Sequence, residues 1–217
     1  MSAHNGRSTA ESVAGDQRKN QHLLTVIRQR TRVFHHGLEA RIDLSRHLGS
    51  HSGYRNLLSR FLRVYRPLER LIDSQPREWL ELLKWSERPR LVRLESDLRF
   101  LGDSAREISE VTDCSTLPEV DDLDTLMGAL YVIEGSSLGG QFLYREIHSR
   151  LGLDAHNGAS FFFGEGERTV EVWKWYVSLM EEHVLSAERA THAAVQMFDV
   201  FQSALAGPAG PGVLFNE

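Results

Sequence analysis

The sequence has one cysteine, Cys114, in 217 residues. That excludes an intramolecular disulfide framework and most thiolate metal sites. A reducing cytoplasm is the expected compartment. Long apolar runs are missing too. The longest, about Met127 to Ile133, falls far short of the ~20 residues that span a bilayer. The opening residues carry no apolar segment of the kind a secretory signal needs. There is no basic excess. Twenty-five Lys and Arg against 30 Asp and Glu leave a net charge of −5, which argues against a nucleic-acid binder. Strand-like alternation never lasts beyond a few residues, and no internal repeat is present. What remains is one domain's length of chain, 41% hydrophobic, enough to bury a full core.

Residues 1–20 are small, polar and aperiodic and read as a disordered arm. Residues 206–217 are punctuated by Pro and Gly and read as a tail. Between them, 21–205 carries strong helical periodicity. A first helix is expected over 21–49, with Leu24, Ile27, Thr31, Phe34 and Leu38 at spacings of 3 and 4 and Gly37 as a weak point. A second is expected over 54–73, kinked or broken at Pro67. A third covers 76–86, and a fourth runs from Pro89 to a stop at Gly102. Residues 105–111 are a short helix or a loop. A long helix is expected over 123–151, then a Phe-rich loop or short strand over 158–166. A last helical stretch runs from Thr169 to Leu205, broken or not. The class is all-α, a compact bundle of seven to eight helices.

Two constellations carry chemistry. In the first helix Arg28, His35 and Glu39 share one stripe, at spacings of 7 and 4. His35 borders the apolar seam, while His36 is turned about 100° away toward solvent. Arg28 lies roughly 10.5 Å along the axis from His35. A cation at that distance from a neutral imidazole suits a flat ligand with a central metal and a carboxylate at its rim, and haem is such a molecule. Glu39 is placed to orient the imidazole. The second constellation is the segment E-G-S-S-L-G-G, with Gly135, Gly139 and Gly140 close together and Gly128 seven residues earlier. Glycine inside a helix costs on the order of 1 kcal/mol relative to alanine. Such a cluster points either to close approach of another helix or to a ligand lying on bare backbone.

The first helix's T-x-x-x-H-x-x-x-E and the later L-Y-x-x-E-G-S-x-L-G-G together resemble the haem oxygenase family. With F-F-F-G, then Trp173 and Tyr176, and the run Leu94, Asp97, Leu98, Leu101, Gly102, the chain looks most like the bacterial haem oxygenases that accompany bacteriophytochromes. The resemblance implies an all-α fold with haem held between a proximal and a distal helix. It implies that His35 ligates the iron, Glu39 steadies it and Arg28 meets a propionate. Gly135, Gly139 and Gly140 match the distal kink. Lys174 or Arg168 is the expected second propionate partner, and Tyr131 and Phe163 are expected to line the pocket. It further implies that haem is both cofactor and substrate. Dioxygen and an external electron donor (ferredoxin, flavodoxin or a small reductant) would open the macrocycle to biliverdin, carbon monoxide and iron. The subgroup favours the alpha isomer, with a bacteriophytochrome apoprotein as consumer.

One position departs from the pattern. Many members carry a distal Asp after the first kink glycine, and here that residue is Ser136. Serine can hold water but bears no charge. Asp97 or a longer water chain is a candidate substitute. The departure keeps open an alternative, a haem carrier or pseudoenzyme with the same fold and no turnover. A di-iron bundle wants paired Glu-x-x-His motifs, and the chain has none. His47 and His51 stand at zinc spacing, with Gly49 between them and no third ligand evident, and read as surface residues.

Overall fold

The computed structural model describes residues 23–35, 44–88, 90–114 and 116–206. The expected N-terminal arm, almost all of the C-terminal tail, His36 and Glu39 lie outside the described residues. Helix α1 covers residues 23–35. It is followed by α2 (Leu44–His47), α3 (His51–Asp73), α4 (Arg77–Leu82), α5 (Arg90–Phe100) and α6 (Ala105–Glu110). The second half holds α7 (Leu123–Leu151), α8 (Ser160–Phe163), α9 (Thr169–His183) and α10 (Ala187–Ala206). Setting aside the two four-residue helices, α2 and α8, eight helices remain among the described residues. No strand occurs among the described residues, and the all-α expectation holds. No helix among them is long and apolar enough to cross a membrane.

Helix α7 is the central element, packed against α10, α9 and α8. Its start is set by Asp122, whose side chain accepts from the Thr125 backbone while Thr125 returns a bond. Gly152, at φ +69°, ends it in the left-handed conformation that lets its N–H reach the His148 carbonyl. Between these caps the glycines do not interrupt it. Gly128 explains one of them. A Cβ there would lie 2.0 Å from the Ala190 carbonyl oxygen, so α7 and α10 meet backbone to backbone. Tyr176, fully buried on α9, donates to the Met127 carbonyl at 2.6 Å and pins a third helix to the same turn.

Three expectations need correction. Pro67 does not break its helix in two, because α3 runs unbroken from His51 to Asp73. Proline removes the N–H that would reach the Arg63 carbonyl. That carbonyl instead accepts from the Cys114 backbone at 2.8 Å. Arg66 clamps the same loop, donating to Asp113 and to the Ile108 and Val111 carbonyls. The Phe-rich segment is a short helix, α8, and not a loop or strand. The Asp97 carboxylate, from α5, accepts from the Ser160 and Phe161 N–H groups at 3.0 and 2.8 Å and from the Ser160 hydroxyl. A tertiary contact thus supplies the cap that the local sequence lacks. His47 is buried, not at the surface. His51 is exposed and bonds through Nε2 to the Leu151 carbonyl.

The stretch from Thr169 is broken once, between α9 and α10. Asp124, 3% exposed, accepts the Leu185 and Ser186 N–H groups at the bend and holds Arg189 beside them. Gly128→Ala is therefore expected to destabilise the fold by on the order of 3 kcal/mol, because rigid backbone, not a side chain, occupies the space. A lowered midpoint in urea denaturation checks this.

Candidate functional site

A cavity of about 570 Å³ opens among the helices, lined from α1, α3, α5, α7, α8, α9 and α10. Its size lies within the ~300–1,000 Å³ of small-molecule sites. One wall is aromatic. Phe61 of α3 lies 5.5 and 5.4 Å from Phe161 and Phe162, and Tyr65 one turn on meets Phe161 edge to face at 5.1 Å. Phe201 of α10 closes the cluster 5.9 Å from Tyr65. Asp97 is what aims this wall. Its carboxylate is fully spent on α8, and burial pushes its pKa upward against those bonds. It does not line the cavity, so its part is to fix Phe161 and Phe162 in place.

Helix α7 forms another wall with bare backbone. Gly135, Ser136, Ser137, Leu138, Gly139 and Gly140 all line the cavity. A Cβ at Gly139 would meet nothing within 4 Å and would project into open space. At Gly135 it would touch Trp173 at an ordinary 3.5 Å, and at Gly140 the Phe162 carbonyl at 3.5 Å. Two explanations of the glycine cluster therefore both apply, at different positions. Gly128 allows a helix to approach, and Gly139 leaves room for something that is not protein. The helix carries no break at these residues. Ser136 turns its hydroxyl back to the Ile133 carbonyl at 2.7 Å, so its remaining capacity is as an acceptor.

His35 of α1 lines the same cavity. The ring is exposed and meets Phe198 of α10 edge-on at 6.2 Å. Thr31, one turn earlier, is buried beside it and donates to the Ile27 carbonyl. Arg28 is exposed and does not itself line the cavity. It hydrogen-bonds Tyr131, a lining residue whose phenol burial pushes up and Arg28 draws down. Tyr131 in turn packs 5.3 Å from Trp173. Three expected residues lie elsewhere. Phe163 faces out from α8 against Tyr144, because in so short a helix Phe161 and Phe162 take the inward positions. Lys174 is exposed on α9 and outside the lining, and Arg168 is spent on Glu165. Glu39 lies outside the described residues.

Sequence reasoning missed the cavity's own cations. Arg90 and Arg93 both line it from α5. Arg93 is paired with Glu165 at 3.0 Å, and Arg90 with the buried Glu134 at 2.7 Å. Their spacing of three places them on one helix face, a signal hidden within an arginine-rich stretch. Among the described residues no three His, Cys, Asp or Glu side chains group as a metal cluster would require. The donor set facing the cavity is one imidazole, two guanidiniums, hydroxyls and aromatic faces. That set fits a planar, largely apolar group with a central metal and an anionic edge.

Residues 21–206 match the family model described as heme oxygenase. A heme oxygenase from Xanthomonas campestris pv. campestris (strain 8004) is 31% identical over 160 residues, covering 70% of this chain and 92% of that protein.

Two outcomes test the geometry without any ligand. Gly139→Ala is expected to leave the fold intact or stabilise it by up to about 1 kcal/mol, since the helix gains alanine and nothing is hit. Asp97→Ala is expected to cost on the order of 2–3 kcal/mol, by leaving buried N–H groups unpaired. Thermal denaturation reads both, and near-UV circular dichroism should change for Asp97→Ala alone.

Proposed function

The chain belongs to the haem oxygenase family, a family of oxidoreductases, and from that premise we propose that it binds haem in this cavity and opens it to biliverdin, carbon monoxide and iron. The observation that carries the reading is that His35 and the bare backbone of Gly139 face one aromatic cavity. When bound, haem supplies both the iron that takes dioxygen and the ring that is cut.

Each of this chain's residues then has a definite task. His35 presents a ring nitrogen to the metal, and Phe198 at its edge limits the ring's rotation. The exposed Arg28, steadied by the lining residue Tyr131, would meet a carboxylate at the ligand's edge. Phe61, Phe161, Phe162 and Phe201 cover apolar ring surface and exclude water. Gly135 and Gly139 present bare backbone to the cavity, so α7 would leave room for a flat ring against it. Ser136 and Tyr65 hold water there. Burial raises the Tyr65 phenol, and the neighbouring Arg90 and Ser136 oppose that rise, so at neutral pH it is a proton donor.

We read the product as the alpha isomer and its consumer as a bacteriophytochrome apoprotein, on the likeness of the E-G-S-S-L-G-G and L-x-x-D-L-x-x-L-G segments to that subgroup. Electrons come from a ferredoxin, a flavodoxin or a small reductant.

The test is a visible-absorption titration of the purified protein with hemin, followed by ascorbate in air. A Soret band saturating at one haem per chain and decaying into the broad red absorption of biliverdin is expected. A Soret band that persists under reductant would support the carrier alternative, and no stoichiometric band would overturn the reading. His35→Ala is expected to lose the imidazole-ligated spectrum and turnover, while His36→Ala keeps both. Gly139→Phe should weaken hemin binding at least tenfold in a protein that still folds.

A further inference from the structure

Helix α7 leaves an apolar ridge uncovered at the cavity. Leu138 is 38% exposed and Phe142, one turn on, is 49% exposed, and both line the cavity. A single exposed apolar side chain is ordinary. Two on one turn of a helix, beside an aromatic cavity, make a surface that gains by being covered.

The segment able to cover it leaves from the facing wall. Phe198, Phe201 and Leu205 of α10 line the cavity at spacings of 3 and 4, and α10 ends one residue later, at Ala206. Arg60 of α3, itself buried, donates to the Leu205 carbonyl at 2.6 Å and anchors that helix end beside the cavity. From the contact between Gly128 and Ala190, Phe142 lies 14 residues along α7 and Leu205 lies 15 along α10, about 21 and 22 Å of helical rise. The ridge and the end of α10 therefore stand at matching heights on neighbouring helices.

Residues 207–217 lie outside the described residues. Their sequence is G-P-A-G-P-G-V-L-F-N-E. Pro208 and Pro211 disfavour a continued helix, so Gly207 to Gly212 form a spacer. Fully extended, the chain from Ala206 to Val213 spans about 23 Å. Packed helices stand only about 8–10 Å apart, so this reaches the ridge with slack. At the end of the spacer comes the one apolar triplet of the segment, Val213, Leu214 and Phe215.

We propose that the C-terminal segment folds back across the cavity and seats Val213, Leu214 and Phe215 on Leu138 and Phe142. Resting on the haem reading above, it then covers the exposed side of the bound ring and keeps water from it. An opened tetrapyrrole leaves when the segment lifts.

The experiment uses the full chain in a Cys114→Ser background. Arg145→Cys, an exposed position one turn past Phe142, is paired with Asn216→Cys, and the hemin-free protein is oxidised by copper-catalysed air oxidation. Both changes leave the apolar partners intact. A disulfide within one chain is expected, and adding Val213→Asp and Phe215→Asp should slow its formation about fivefold or more, because reach is unchanged and only the apolar seat is lost. In the ferric haem complex the same two aspartates, without the cysteines, should speed hemin transfer to apomyoglobin roughly tenfold at unchanged stoichiometry. Equal disulfide rates with and without the aspartates would overturn the proposal. Disulfides formed only between chains would overturn it too, and would give the ridge to a second copy. Failure of the unaltered chain to bind hemin would overturn the haem reading alone, since the disulfide readout needs no hemin.

Discussion

The backbone contact between Gly128 and Ala190 sets where everything else can be. With no side chain between them, α7 and α10 have one distance and one register at that point, near the start of each helix. Further along, the same two helices carry Gly135 and Gly139 on one side and Phe198 and Phe201 on the other, and the cavity lies among them. Gly128, Gly135 and Gly139 are spaced by 7 and 11 residues, so they fall within about 20° of one stripe of the helix. One stripe thus serves two ends. It closes the bundle where α10 touches α7 and leaves it open at the cavity.

The remaining walls are placed by buried polar groups, not by apolar contact alone. Asp97 caps α8 from a distant helix and thereby aims two phenylalanines inward. Asp124 caps the bend that separates α9 from α10. The loop after α6 supplies the donor that Pro67 withholds, so α3 runs on past the proline, and Phe61 and Tyr65 on the turns before it line the cavity. In each case the polar group is satisfied in full, as burial demands. Among the described residues three buried polar atoms keep no hydrogen-bond partner: the Tyr54 hydroxyl, Arg88 Nε and Arg90 Nη1.

Scaffold and site use different polar groups. His35 and Arg90 line the cavity from two helices, Arg28 joins it through Tyr131, and His35 and Arg28 are exposed. The carboxylates that hold the fold are buried against protein donors, while the cavity wall gathers an imidazole, two guanidiniums and hydroxyls in one place. Ser136 belongs to both sets, since its proton goes to its own helix and its oxygen stays available.

Much of this was legible in order along the chain. Local rules suffice for the long helix 123–151, whose ends are a capping box and a left-handed glycine, and for the stop of α5 at Gly102, at φ +102°. The His35 stripe and the glycine cluster are also local, because helical periodicity alone puts their members on one face. Local rules could not decide which glycine serves packing and which serves a ligand, since that depends on what stands opposite, Ala190 or empty space. Nor could they show that α3 continues through Pro67, that Phe161 and Phe162 rather than Phe163 face inward, or that Arg90 and Arg93, not Lys174, are the cations of the cavity wall. Each of these is settled by a partner 40 or more residues away in sequence, and a group's partner is what determines whether it is spent or available.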